Sequence, residues 1–135
     1  GHRMSLRTAS CSCGRLSIEA RGEPNAVSAC HCLECQKRTG SAFGAQVRYP
    51  TEQLQFRGES STFIRTGDTG STVTFSFCPN CGTTLFWNPE KLPGQTTVAL
   101  GAFADPSFVE QLSYSVFNTR RHSWVQKLAS AEDYD

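Results

Sequence analysis

Residues 29–40 read ACHCLECQKRTG, which places Cys30, Cys32 and Cys35 within six consecutive positions. The other four cysteines fall in two groups, CSC at residues 11–13 and CPNC at residues 78–81. The total of seven is odd and no secretion signal precedes them, so a disulfide framework would leave one thiol unpaired. We therefore expect the cysteines to bind metal and the fold to be organised around the bound ions.

The four outer cysteines predict a closed metal site. Residues i and i+2 of an extended segment point to the same side, so Cys11 and Cys13 can bind one ion together. The stretch CPNCG at residues 78–82 has the form of a zinc knuckle, and Gly82 can take the positive φ that the turn requires. Together the two pairs predict a structural Zn²⁺ site with Cys11, Cys13, Cys78 and Cys81 as ligands. A redox dithiol at Cys78 and Cys81 is the alternative, and it is disfavoured because no βαβ pattern surrounds it.

The three inner cysteines predict an open metal site. Cys30 and Cys32 share a face, and a turn that begins near Leu33 can bring Cys35 back to them, whereas His31 points away. Three thiolates leave the fourth tetrahedral position for water or substrate, as in a catalytic zinc site. Two alternatives stay open: an iron–sulfur cluster, and a second structural zinc whose fourth ligand is a histidine, with His122 the best candidate and His31 the poorest.

The charge of such an open site indicates its chemistry. Three thiolates give a Zn²⁺ site a net negative charge, which weakens the acidification of bound water, so hydrolysis is not the expected reaction. A thiol bound there loses its proton and becomes a nucleophile near neutral pH. We expect a small thiol and a small aldehyde as partners, with Cys30, Cys32 and Cys35 as the catalytic residues.

The rest of the chain shows mostly the period-two alternation of half-buried strands. The sequence predicts one all-β domain of antiparallel sheets with one or two short helices, at 33–39 and 123–129. The strands are predicted at 16–20, 43–49, 53–57, 62–65, 73–77, 84–87, 96–100 and 113–117.

Composition narrows the possible partners. A net charge of +1 gives no electrostatic reason to expect nucleic acid or an anionic membrane surface. The chain lacks an apolar run long enough to cross a membrane, so we expect a cytoplasmic protein, a monomer or a small homo-oligomer. Residues 1–3 precede Met4 and resemble a vector remnant, so we expect the domain to span 4–135.

Several residues near the inner cysteines are candidates for contact with a substrate. Lys37 and Arg38 can offset the anionic cluster or bind a substrate carboxylate, although solvated surface charge is an equally good interpretation. The same holds for the basic run Arg120, Arg121 and His122, and Trp124 could be core or pocket. Seven aromatic residues at strand spacing are expected in the core and not in a substrate cavity: Phe43, Phe75, Phe77, Phe86, Trp87, Phe103 and Phe117.

The motifs resemble those of the glutathione-dependent formaldehyde-activating enzyme family, also called the GFA or CENP-V domain. The resemblance runs in order through four stretches: CSCG at 11–14, CHCLECQKRTGSAF at 30–43, FCPNCGTTLF at 77–86 and VALGAFADPSF at 98–108. It implies a fold of the β-tent type with two Zn²⁺ sites, in which Cys11, Cys13, Cys78 and Cys81 are structural ligands and Cys30, Cys32 and Cys35 are catalytic ligands.

The same resemblance implies a carbon–sulfur lyase that condenses formaldehyde with glutathione to S-hydroxymethylglutathione. The second hypothesis is a non-catalytic interaction module with two structural zinc sites, as the CENP-V branch suggests. That branch carries basic extensions, and this chain is nearly neutral.

Overall fold

The computed structural model describes residues 5–108, 113–126 and 132–134. In chain order, the described strands and the α-helix are β1 Leu6–Ser10, β2 Ser17–Arg21, β3 Ala26–Cys30, α1 Leu33–Thr39, β4 Gly44–Pro50, β5 Leu54–Arg57, β6 Ser61–Thr66, β7 Thr72–Phe77, β8 Thr84–Pro89, β9 Gln95–Ala99, β10 Tyr114–Val116 and β11 Glu132–Tyr134. Short 3-10 helices occupy Thr51–Gln53, Leu100–Phe103 and Asn118–Arg120. None of the described helices is long and apolar enough to cross a membrane.

The strands form two sheets. The smaller sheet has the antiparallel order β1-β2-β5, and the larger has the order β11-β10-β3-β4-β9-β8-β7-β6. Strand β10 runs parallel to both β3 and β11, whereas the other pairs in the larger sheet are antiparallel. The expectation of an all-β fold is confirmed, but the larger sheet is mixed and not purely antiparallel.

The core contains residues from one face of the large sheet and residues from the small sheet. Val27, Val47 and Val98 lie opposite one another on β3, β4 and β9. They belong to the same buried cluster as Ile18 and Ala20 of β2. Side chains alternate along a strand, so the residues directly before and after each of these valines point to the opposite face of the large sheet. Residues on that opposite face are available to form a functional site.

The structure confirms the strands that were expected from alternation, with ends shifted by a few residues. Strand β3 was missed because all five of its residues are buried, so its sequence AVSAC has no polar alternation to reveal it. Strands β1 and β11 were also missed. The helix at 33–39 is confirmed, whereas residues 123–126 form turns and the remainder of the second expected helix, 127–129, lies outside the described residues.

Helix α1 has well-defined ends. The Cys32 side chain accepts a hydrogen bond from the Cys35 backbone N–H, which makes Cys32 the N-cap. At the other end Gly40 adopts φ 68°, and its N–H donates to the Gln36 carbonyl. A left-handed glycine is a common helix terminator because it lacks a Cβ. The cysteine motif and the glycine ten residues after Cys30 thus fix the length of the helix.

We predict that Gly58→Ala strongly destabilises the fold. Gly58 has φ +94°, and a Cβ there would lie 1.9 Å from the Arg15 carbonyl oxygen in the turn between β1 and β2. Left-handed strain of about 1–2 kcal/mol plus the backbone clash should cost more than ~3 kcal/mol. Chemical denaturation measures the change in the free energy of unfolding.

The matched control is Gly70→Ala. Gly70 also has positive φ, +85°, but a Cβ there would meet no atom within 4 Å. It should cost only the strain, about 1–2 kcal/mol. Equal losses in the two variants would contradict the importance of the close approach to Arg15.

Candidate metal centre

The four outer cysteines come together in one cluster. The sulfur atoms of Cys11, Cys13, Cys78 and Cys81 all lie within 4.8 Å of one another. The Cys11–Cys13 and Cys13–Cys78 sulfurs are each 3.6 Å apart. Cys11 and Cys78 are buried, whereas Cys13 and Cys81 are exposed. The grouping expected from spacing is therefore present in the fold.

Two similar turns position these sulfurs. Cys11 follows β1, its N–H donates to the Leu16 carbonyl at 2.9 Å, and Gly14 has φ +82°. Cys78 follows β7, its N–H donates to the Thr83 carbonyl at 2.9 Å, and Gly82 has φ +81°. The positive φ expected at Gly82 is confirmed. Because β1 belongs to the small sheet and β7 to the large one, the cluster joins the two sheets.

A hydrogen-bonded contact supports the junction between the turns. The Ser12 N–H donates to Thr83 Oγ1 at 3.1 Å, and the Thr83 hydroxyl lies 3.1 Å from Ser12 Oγ. Thr83 also lies 3.3 Å from the Cys81 sulfur. The hydrogen bond from the Thr83 hydroxyl favours the thiolate and lowers the pKa of Cys81 to about 5.

The donor set fits a tetrahedral soft metal. Four Zn–S bonds of about 2.3 Å place neighbouring sulfurs about 3.8 Å apart, close to the spacing of the pairs above. A disulfide would require about 2.05 Å, and all seven cysteines are free thiols. Cys11, Cys13, Cys78 and Cys81 could therefore hold one metal ion.

The three inner cysteines form a second cluster. Cys30 ends β3, Cys32 caps α1 and Cys35 lies in the first turn of the helix. Their sulfurs lie within 4.8 Å of one another, and those of Cys30 and Cys32 are 3.3 Å apart. Cys30 and Cys35 are buried, whereas Cys32 is half-buried. The turn expected at Leu33 is what brings Cys35 back to the others.

Hydrogen bonds within the cluster favour the ionised form of one cysteine, Cys32. The Cys30 thiol donates to the Cys32 sulfur, which lowers the pKa of Cys32 to about 2. The same hydrogen bond raises the pKa of Cys30, because the donating thiol has to keep its proton. The Cys35 N–H donates to Cys32 at 3.3 Å. A cation in the cluster would remove the repulsion between thiolates and let all three ionise.

No fourth metal-binding side chain joins this second cluster among the residues that the structure describes. His122, the best candidate from the sequence, instead bonds through Nε2 to Gln36 Oε1 at 2.7 Å. His31 is buried beside the Phe43 ring, 5.3 Å between centroids. The two clusters therefore differ by one ligand, four sulfurs against three.

The three-cysteine cluster opens into a cavity of about 530 Å³. Strand register determines which side chains line this cavity. Gln46 and Cys30 lie on the face of the large sheet opposite to that of Val47. Phe75 of β7 and Trp87 of β8 are paired with each other and also line the cavity. Helix α1 contributes Arg38, and β6 contributes Arg65. The cavity volume lies within the range of about 300–1,000 Å³ common for small-molecule sites.

Among the basic residues, Arg38 and Lys37 have different environments. Arg38 lies in the cavity wall, with its guanidinium 4.2 Å from the centre of the Trp87 ring. The Lys37 side chain is 76% exposed and pairs with Glu34 at 3.9 Å. The Arg120 backbone carbonyl accepts a hydrogen bond from Gln36 Nε2, and Trp124 is 72% exposed against the His122 ring. None of the residues Arg120, Arg121 and Trp124 lines this cavity.

The assignment of all seven aromatic residues to the core was wrong in part. Phe75 and Trp87 are buried, but both line the cavity, and Phe117 lines it with 48% of its surface exposed. Strand alternation shows that residues share a face but does not show whether that face meets the core or a cavity. The sequence did not identify Arg65 and Gln46 as residues that line the cavity. Both are distant in sequence from the three cysteines, so no local motif connects them with the site.

Comparison with known proteins agrees with these observations. The profile described as glutathione-dependent formaldehyde-activating enzyme (GFA) matches residues 6–126. A solved structure titled as the crystal structure of a Rhodobacter sphaeroides protein is 20% identical, with a TM-score of 0.54 over 70% of this chain and 85% of that one, which concerns the fold alone. No curated protein matches this chain. Because the profile match contains both cysteine clusters, the chain belongs to the glutathione-dependent formaldehyde-activating enzyme family.

Proposed function

We propose that the protein is a zinc-dependent carbon–sulfur lyase that makes or breaks a C–S bond between a thiol and a small aldehyde. The observation that carries the proposal is the three-cysteine cluster at the end of a cavity of about 530 Å³, with no fourth metal-binding side chain among the described residues. Family membership supports the same reaction class. Glutathione and formaldehyde, the compounds in the family's description, are the first substrates to test.

In this proposal the residues Cys30, Cys32 and Cys35 hold a Zn²⁺ ion. An ion held by these three sulfurs would supply the positive charge that stabilises a substrate thiolate near neutral pH. The substrate sulfur attacks the carbonyl carbon, the C=O π electrons move to oxygen, and that oxygen takes up one proton to give S–CH₂–OH. The reverse reaction breaks the same C–S bond and releases the proton with the aldehyde.

The chain's own residues contribute a shielded wall and a positive field to this reaction. Phe75 and Trp87 form apolar surface beside the cluster, which limits the access of water. The charge of Arg65 adds to the hydrogen bonds from Cys30 and Cys35 that lower the pKa of Cys32. The pKa of Cys35 is raised by the Cys32 contact and by burial, and the charge of Arg38 opposes that rise. Two cationic side chains therefore oppose the negative charge that three thiolates and a substrate thiolate would gather.

The four-cysteine cluster has a structural role in this proposal. Its ligands fill a tetrahedral shell and leave no position for a substrate. The rival hypothesis, an interaction module with two structural zinc ions, needs a fourth protein ligand beside Cys30, Cys32 and Cys35. His122 was the best candidate, and its ring nitrogen is engaged with Gln36. We therefore favour the enzyme.

We predict that the zinc-loaded protein accelerates exchange between formaldehyde and S-hydroxymethylglutathione, and that Cys32→Ser abolishes the acceleration. Serine is itself a good N-cap, so it should preserve helix α1 while it removes a thiolate. Exchange NMR with ¹³C-formaldehyde measures the rate after subtraction of the spontaneous reaction. Full activity in folded Cys32→Ser would refute the proposed role of this cysteine.

We predict the opposite pattern for Cys81→Ser. Loss of one ligand from the cluster that joins the sheets should remove a large part of the ~5–15 kcal/mol that stabilises a typical domain. Thermal unfolding followed by circular dichroism compares it with Asn80→Ser, an exposed non-ligand in the same turn. Similar unfolding temperatures for Cys81→Ser, Asn80→Ser and the parent would argue against a structural ion.

We predict two bound zinc ions of unequal stability. A mild chelator should remove one ion first, because the three-cysteine site has one protein ligand fewer. Mass-spectrometric footprinting with iodoacetamide should then label Cys30, Cys32 and Cys35 before the other four cysteines. Simultaneous loss of both ions, with uniform labelling, is the result that contradicts the difference between the sites.

A further inference from the structure

Two arginines lie against one aromatic ring in the cavity wall. The Arg65 guanidinium carbon is 4.9 Å from the centre of the Phe75 ring, and that of Arg38 is 5.6 Å from it. Arg38 also lies 4.2 Å from the centre of Trp87. Arg65 comes from β6 and Arg38 from α1, so the sheet and the helix each supply one cation. Stacking on aromatic faces holds a guanidinium in place while leaving its N–H groups free to bind.

Neither arginine is neutralised by a carboxylate of the described chain. The ion pairs among the described residues are Arg7–Glu23, Lys37–Glu34 and Arg57–Glu19, and none of them includes Arg38 or Arg65. The Nε atom of Arg38 is buried without a hydrogen-bond partner. Two acidic side chains, Glu34 and Asp68, also line the cavity, and neither lies within 4.0 Å of Arg38 or Arg65.

The two arginines stand where two cavities meet. Both line the 530 Å³ cavity that contains the cysteine cluster, and both line a second cavity of about 270 Å³ bounded by Phe63, Phe77 and Thr84. A thiol whose sulfur reaches the cysteines can therefore extend along a wall that carries two guanidinium groups. Guanidinium matches a carboxylate through paired N–H···O bonds.

We propose that Arg38 and Arg65 form a carboxylate-binding subsite, and that the thiol substrate carries a carboxylate which they recognise. This inference rests on the proposed function, because it concerns the thiol that binds at Cys30, Cys32 and Cys35. It makes Arg65 and Arg38 specificity-determining residues. The competing explanation is that the arginines only offset the negative charge of the cysteine centre and make no contact with a substrate group.

Pairs of charged and uncharged thiols separate these explanations. The first pair is 3-mercaptopropionate and 3-mercaptopropionamide, which differ in charge and scarcely in shape, and the second is glutathione and its diethyl ester, which reach further. Isothermal titration calorimetry on the zinc-loaded protein measures binding without requiring turnover. Hydrogen bonds to a charged group are stronger than those to a neutral one, so we expect at least one acid to bind about 10-fold or more tightly than its uncharged partner.

Arg65→Gln should remove most of this preference, and Arg65→Lys should retain part of it, because lysine keeps the charge without the paired N–H groups. In the aldehyde exchange assay the loss should appear in KM for the acidic thiols, with kcat nearly unchanged. The matched control is Arg57→Gln, which removes an exposed arginine of the small sheet that pairs with Glu19. It should leave every thiol affinity unchanged.

Three results would overturn the inference, and each has a different meaning. Equal binding of acids and uncharged partners, with activity intact, would refute the subsite and leave the proposed function standing. Equal weakening of all four thiols by Arg65→Gln, with loss of zinc, would show that the arginine serves only the cysteine centre. Failure of every thiol to bind or react with the fully zinc-loaded protein would refute the proposed function, and the subsite with it.

Discussion

The rest of the structure depends on four cysteine sulfurs that lie within 4.8 Å of one another at the junction of two sheets. The smaller sheet has only three short strands, and its residues Ile18 and Ala20 are buried in the core cluster that it shares with the large sheet. Its turn at Cys11–Cys13 meets the turn at Cys78–Cys81, and Ser12 and Thr83 bond across the junction. Four ionised thiolates this close would repel one another, and a shared cation would remove that repulsion.

With the sheets joined, the two faces of the large sheet have different tasks. On β3 the side chains of Val27 and Ala29 are buried, and Val27 is part of the core cluster, whereas Cys30 faces the cavity. On the neighbouring strand Val47 packs in the core and Gln46 lines the cavity. The rigid packing on one face therefore fixes the positions of the groups on the other. A site built on strands in this way holds its geometry better than one built on loops.

Much of the candidate site could be predicted from local sequence. The division of the cysteines into four and three followed from i, i+2 spacing, from the knuckle at 78–82 and from one helical turn at Leu33, because each is a short-range geometric rule. Most strands followed from alternation. Strand β3 did not, because a strand buried on both faces gives no alternation, and the second helix expected near Ser123 is a turn over its described residues.

The sequence by itself determined which cysteines could share an ion, the strand character of most of the chain and the family, since these depend on the spacing and order of neighbouring residues. Only the tertiary structure decided which aromatic residues line a cavity and which cations face it. Arg38 and Arg65 are far apart in sequence and meet at Phe75 because β6, β7 and α1 come together. Such a meeting is set by strand order and register, which local patterns do not encode.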